Sequence, residues 1–515
     1  MIRLWLAALA VVCLLCAGAV ADEHPQLTHT ALPPDHWSYS ALRSVLTDLD
    51  VPGLTPLRYM GDVTFNRAEL ADAVWRACLA ARDREETDDH IARWLGALVR
   101  EFSWELESEG RSREEALSWL SSSGETDYAP YGAAALGYVS RRGSAAGAEL
   151  LWDAGAARFS QKPHSLGLVE WRHRPPDRSQ DRIGRRGLHR LLVLSDKPAQ
   201  KLTVGRGIYR LGVGARGTYN TGALAGSVDH IRYRDKIQLW GTKAILDVGW
   251  YTHRNQGERL WVLTKRLEKR LSPELEFSLS DTARTRSITS PVYFISPLGL
   301  WATLLRDSLF QDPTVREDDN LMNHAELYWT PSEDLHLYVD AALDETDLAR
   351  VLDTVGLYRP LQWLLGWTGA FRSEPGEGVN ENGVLLGLYA PDLDGEGRLA
   401  ARIEYAWASP RLGITSRGAS LDFFSNGLPM QHRLGPDARG IYGEIRYIPH
   451  SDWLAKAYVD WSERGLSVPN TRRQTIWGLS VSKQLGRNTS LRLGLTHHRA
   501  DRPSTAASLS FQTWF

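Results

Sequence analysis

The side chains with most chemical capacity in this 515-residue chain recur at every second position of short segments, not in tight clusters. His336, Tyr338 and Asp340 alternate with Leu335, Leu337 and Val339. Arg402 and Glu404 alternate with Ala401, Ile403 and Tyr405, and Lys456 and Asp460 with Ala455, Ala457 and Val459. Alternate residues of an extended strand share a face, so each segment carries one titratable row and one apolar row. His336, Tyr338, Asp340, Arg402, Glu404, Lys456 and Asp460 are therefore expected to face a polar lumen, where such charges tune passage or binding. The densest basic stretch, residues 172–190, holds Arg172, Arg174, Arg185 and Arg186. As a loop it either grips acidic sugars or lipid phosphates through bidentate guanidinium bonds, or stays solvated, partly neutralised by Asp177 and Asp181. Hydrolysis would call for a Ser–His pair or clustered His and carboxylates. His336 and His497-His498 come nearest, and no Ser motif or His-Glu-x-x-His accompanies them. The chain is read as a non-enzyme with no catalytic residue, metal site or cofactor.

The apolar rows need lipid or a core. Leu275, Phe277 and Leu279, Trp453 to Trp461, and Leu491 to Leu495 repeat the pattern. The final residues put Leu509, Phe511, Thr513 and Phe515 on one face and Ser508, Ser510 and Gln512 on the other. A strand apolar on one side, polar on the other and closed by an aromatic suits an outer-membrane barrel. Allowing about 21 residues per strand and connection, residues 128–515 hold about 18 strands. Breaks at residues 331–334 and 485–488 read as short turns. The run Gly212-Val-Gly-Ala-Arg-Gly217 spells a dinucleotide fingerprint. Its strand context, without a following helix, assigns the glycines to tight barrel packing or a strained loop.

Composition agrees with export and membrane burial by strands. Twenty Trp and 18 Tyr can furnish two interfacial girdles, while a mean hydropathy of −0.33 suits strands that show lipid only alternate residues. Residues 1–21 read as a cleavable signal peptide: Arg3, an apolar run from Leu4 to Val20, then Ala19-Val20-Ala21. A net charge of −2 excludes nucleic acid as a partner.

Ahead of the barrel, residues 33–79 predict a small helical unit. Asn66 is an N-cap with Glu69 three residues on, and Leu42, Val45, Leu46, Leu49, Leu70 and Val74 form its apolar faces. Residues 88–120 predict an amphipathic helix through Ile91, Trp94, Leu95, Leu98, Phe102 and Leu106, packing on the unit or on a copy of it. Residues 121–127 read as a linker.

Two resemblances extend this reading. Asp35, His36, Trp37 and Ala41, followed by Arg67, Ala68 and Glu69, resemble a single S-layer homology module over residues 22–80, with 81–127 as the helical linker to the barrel. The resemblance implies attachment to a peptidoglycan-linked polymer through Trp37, Arg67 and Glu69. From the residues alone, the plainer reading of Trp37 is core, and of Arg67 a partner of Glu69. The segments Asp318 to Trp329, Ile403 to Ala406, Asn426 to Asp437 and Leu202 to Gly217 resemble the capsule assembly Wzi family of outer-membrane barrels. That likeness implies an 18-stranded, mainly β transmembrane barrel helping to hold exopolysaccharide or capsule at the cell surface. The competing expectation is a wall-tethered porin for small solutes. Both place the protein in the outer-membrane bilayer with the module in the periplasm, and both have the barrel-assembly machinery engage the C-terminal strand ending in Phe515.

Overall fold

Each alternating segment forms one strand of a single antiparallel sheet of eighteen. The sheet closes on itself where β1 (Thr126–Arg141) pairs with β18 (Ser504–Trp514). This computed structural model describes residues 31–32, 36–59, 64–84, 87–120, 126–141, 147–161, 164–174, 185–196, 200–215, 217–219, 227–239, 242–255, 258–286, 319–344, 381–414, 422–425, 428–429, 432–500 and 503–514. Residues 1–21, read from the sequence as a signal peptide, and the terminal Phe515 lie outside the described residues. The strands run from 9 to 16 residues, enough to cross a hydrocarbon layer.

Burial along the strands is inverted relative to a soluble protein. In β11 (Leu335–Asp344) every even residue is buried and every odd one is partly exposed, so His336, Tyr338 and Asp340 point inward. Outward rows align by register across β14 (Ala438–Tyr447), β15 (Trp453–Arg464), β16 (Arg472–Gly486), β17 (Thr489–Arg499) and β18. Ile445, Ala457, Leu479, Leu495 and Ala507 make the central row. Trp461 and Trp477 border this apolar belt on one side. Trp453, with the Lys483 ammonium 4.9 Å from its ring centroid, borders it on the other.

The two ends of the barrel differ. Two-residue turns join Ser272 to Leu275, Ser332 to Leu335 and Gly486 to Thr489, each just past a register shift. The last two fall at the breaks predicted at 331–334 and 485–488. The opposite end carries long connections, including 209–226, 286–318, 345–380 and 409–437. Short turns at one end and long loops at the other are the asymmetry of outer-membrane barrels. Both ends of the basic stretch at 172–190 are strand where a loop was expected, and residues 175–184 lie outside the described residues. Arg172 and Arg174 close β3 (His164–Arg174), while Arg185 and Arg186 open β4 (Arg185–Asp196), with Arg174 registered opposite Arg185 and His173 opposite Arg186.

Among the described residues five α-helices precede the barrel: α1 (Trp37–Asp48), α2 (Arg67–Arg82), α3 (Asp89–Glu101), α4 (Ser103–Ser108) and α5 (Arg113–Trp119). The expected capping box opens α2: Asn66 Oδ1 accepts from the Glu69 N–H, and Glu69 Oε2 from the Asn66 N–H, each at 2.8 Å. Leu42, Val45, Leu70 and Val74 share one core with Ile91, Leu95, Leu98 and Phe102. The boundary drawn at residue 80 therefore runs through a single hydrophobic core, and the segment read as a linker is half of that unit. The core continues onto Phe159 of β2 (Gly147–Gln161), Leu166 and Leu168 of β3, and Leu194 of β4, so the helices sit against the inner wall. Leu479→Arg, in mid-belt on the lipid side, is expected to cost about 2 to 4 kcal/mol of stability in denaturant unfolding from lipid vesicles. Ser480→Arg, facing inward on the same strand, is expected to cost clearly less.

Candidate functional site in the lumen

The lumen is where this fold gathers its titratable groups. All seven side chains expected there are on the inner face and buried, from Asp340 at 0% exposure to His336 at 9%. Their partners belong to the chain itself. Tyr338 donates to Glu404 Oε1, which also accepts from the backbone N–H of Ala215. Asp340 Oδ2 accepts from the Thr218 hydroxyl at 2.6 Å and the Tyr219 N–H at 2.7 Å. Lys456 pairs with Glu444 at 2.6 Å, and Asp460 with Arg433. His336 bonds the Tyr328 hydroxyl, and the Arg402 guanidinium lies 4.1 Å from the Tyr389 ring centroid.

Two of these acids hold a connection from the long-loop end inside the barrel. After β5 (Gln200–Ile208) the chain turns inward, burying Tyr209, Leu211, Val213 and Tyr219. Here the glycine run explains itself. Gly212 and Gly217 have φ of 123° and 150°, and a Cβ on Gly212 would collide with Thr218, one on Gly214 with the Gly217 carbonyl. A second connection also folds in. The Gly413 N–H bonds Asp344, and His432 packs on Tyr219 with ring centroids 5.4 Å apart.

From the short-turn end the helical unit closes on the same wall. Trp104 of α4, only 1% exposed, sits among Lys201 of β5 and Arg234 and Lys236 of β6 (Ser227–Leu239), each 4.9 to 5.3 Å from its ring. Lys201 Nζ also bonds the carbonyls of Arg100 and Glu101 at the end of α3, and Lys236 pairs with Glu107 at 2.8 Å. On the far side Glu69 accepts from the Tyr389 hydroxyl of β12 (Glu381–Ala390), and Arg446 donates to the same hydroxyl at 2.8 Å. Trp514 Nε1 donates to Thr47 at 2.6 Å, and Thr55 to Gln484 at 3.2 Å.

The residues carried over from the wall-binding signature lie inside this arrangement. Trp37 is 2% exposed and stacks near Trp94. Arg67 is 3% exposed, its guanidinium taken by Glu101 at 2.8 Å and Glu105 at 2.5 Å. Both assignments to an external polymer are corrected by burial: neither group can meet a ligand without the unit opening. Arg67 does not pair with Glu69 either. Burial works to neutralise Glu101 and Glu105, but the adjacent guanidinium outweighs it and holds both below the usual carboxylate range. Arg172, Arg174, Arg185 and Arg186 stand where β3 and β4 meet the long-loop end, away from the lumen contacts described above. Sequence reasoning missed Trp104, Lys201, Arg234, Tyr389 and Arg446. The alternating positions of Lys201, Arg234, Tyr389 and Arg446 in β5, β6, β12 and β14 mark an inner face but not what fills it.

No protein family matches this chain, and no curated protein matches it. Among solved structures it is similar to Wzi of Escherichia coli, described as an outer membrane protein involved in group 1 capsule assembly and a carbohydrate-binding β-barrel. The two are 11% identical over 93% of this chain and 97% of that one, with a TM-score of 0.53. Because the barrel is only about three-quarters of the chain, that likeness in fold reaches into the helical unit. OpdQ and vanillate-bound OpdK of Pseudomonas aeruginosa align over 76% of this chain and 98% of theirs, at 9% and 11% identity and TM-scores of 0.43 and 0.41.

Arg67→Met leaves Glu105 buried without its cation and is expected to destabilise the helical unit by about 3 to 5 kcal/mol, read by helical circular dichroism on heating. Adding Glu105→Gln is expected to restore part of that loss. Both carboxyls have lowered pKa values in the folded state. Their contribution is therefore complete above about pH 4.3, the unfolded value, and fades only as the pH falls below it. The loss of stability caused by Arg67→Met should therefore hold constant from pH 7 to about pH 5.

Proposed function

We propose that this protein is an outer-membrane barrel that associates with surface or capsular polysaccharide on its long-loop side, with its lumen closed by its own chain. One observation carries the reading: the lumen's acids and bases engage the helical unit and two inturned connections. Glu404 and Asp340 bind the 209–219 connection, while Lys201, Lys236 and Tyr389 bind the helices. A diffusion porin works through charges that face water and passing solute. These charges are buried against protein.

The ligand class rests on two supports. The fold is shared with a barrel described as carbohydrate-binding. The arginine-rich extension of β3 and β4 (Arg172, Arg174, Arg185 and Arg186) stands at the long-loop rim, where guanidiniums suit acidic sugars. In this reading the short-turn end faces the periplasm and the helical unit acts as a plug there. Wall tethering is not assigned to Trp37, Arg67 or Glu69, since their contacts are internal. No step of bond making or breaking is proposed.

Planar-bilayer recording tests the closure. Full-length protein is expected to show no steady conductance, and a variant lacking residues 31–120 to open large steps. Steady large steps from the full-length protein would instead establish the porin reading. For the ligand, binding to immobilised polygalacturonate is expected to fall at least about tenfold when the four rim arginines become Gln, the loss of one charge-assisted contact or more.

A further inference from the structure

A second arginine row lies outside the barrel, where the lumen account gives it no role. Register places Arg439 of β14, Glu463 of β15 and Arg473 of β16 side by side on the outward face. Arg439 is bonded to Glu463 Oε2 at 2.7 Å through Nε, and Arg473 to Oε1 at 2.6 Å. The shared carboxylate is 3% exposed beneath them, while the Arg473 side chain is 75% exposed. One outward position nearer mid-membrane stand Ile441, Trp461, Thr475 and the exposed Arg499, also in register. Arg439 lies 5.9 Å from the Trp461 ring centroid.

The row thus sits at the upper border of the apolar belt, facing sideways. A guanidinium carries five N–H donors, and one carboxylate cannot take all those of two arginines. The arrangement keeps an excess of positive charge, with both forks fixed in direction by Glu463. The lower border offers only Lys483 against Trp453 in the same strands. A cationic row directed along the membrane surface meets headgroups before anything else, and paired guanidinium forks match phosphate oxygens. We infer that Arg439 and Arg473, with Arg499 below them, form a docking site for the phosphate-bearing headgroups of lipids in the leaflet on the long-loop side.

Native mass spectrometry of the full-length protein in dodecyl maltoside, with bis-phosphorylated lipid A added, tests this. Removing both arginines would strand Glu463, so the variant is Arg439→Gln/Glu463→Gln/Arg473→Gln, its folding checked by heat-modifiable migration. Lipid A occupancy is expected to drop at least about tenfold in that variant, and not in Arg398→Gln, an exposed arginine at the opposite end. Equal occupancy in the triple variant would overturn the inference. So would displacement of lipid A by an equal concentration of inorganic phosphate, which would make the site one for the free ion. Displacement by polygalacturonate would overturn it too, by making the row part of a polysaccharide surface.

Discussion

Main-chain N–H and C=O groups find no water inside a bilayer, and the whole structure follows from satisfying them. The pairing of β1 with β18 removes the last open edge of the sheet. Once the sheet is closed, each strand has one face in lipid and one in the lumen, so the period of two becomes a sorting of apolar residues outward and charged residues inward. That sorting creates a second demand. Aspartates, glutamates and arginines enclosed in a tube need either water or opposite charges and donors. Here the chain supplies its own: backbone N–H groups of the inturned connections for Asp340, Asp344 and Glu404, and helix carbonyls and carboxylates for Lys201 and Lys236.

The helical unit meets the wall in two ways. Near its covalent exit to β1 the contact is apolar, Trp94 lying edge-on to Phe159 with centroids 5.0 Å apart. Around the rest of the circumference polar and aromatic–cationic contacts, through Trp104, Glu69, Thr47 and Thr55, stand beside a smaller apolar one of Leu57 on Leu454 and Trp514. The apolar side excludes water without directional demands, and the polar side fixes orientation through bonds with defined geometry. Inside the unit, burial pushes the Cys78 thiol up to about 12, so this cysteine is inert.

The barrel was legible because its periodicity is a direct imprint of lipid on one face. Leu335 to Asp344 showed which residues point inward, and the breaks at 331–334 and 485–488 showed, to within a residue, where strands reverse. The Asn66–Glu69 capping box was legible because it is local. Partners distant in sequence were not. Period and motif place Arg67 at a helix start, but they are silent about Glu101 and Glu105, 34 and 38 residues on. The signature pointed outward while the packing turned the residue in. Arg172, Arg174, Arg185 and Arg186 misled for a different reason: a barrel strand can run past the membrane border, where charge is tolerated on both faces and alternation disappears. The glycine run showed that the backbone is unusual there, but not that it dives into the lumen to meet Asp340.

The central claim is that the N-terminal helices sit inside the short-turn end of the barrel and are held to its wall. Cysteine cross-linking in intact cells tests it most directly, using Thr55→Cys with Gln484→Cys in a Cys78→Ala background and a short bis-methanethiosulfonate reagent, since the native side chains there meet at 3.2 Å. The account predicts near-complete intramolecular cross-linking, visible as a mobility shift reversed by reductant. Absence of that cross-link, in protein that otherwise folds and reaches the outer membrane, would contradict it.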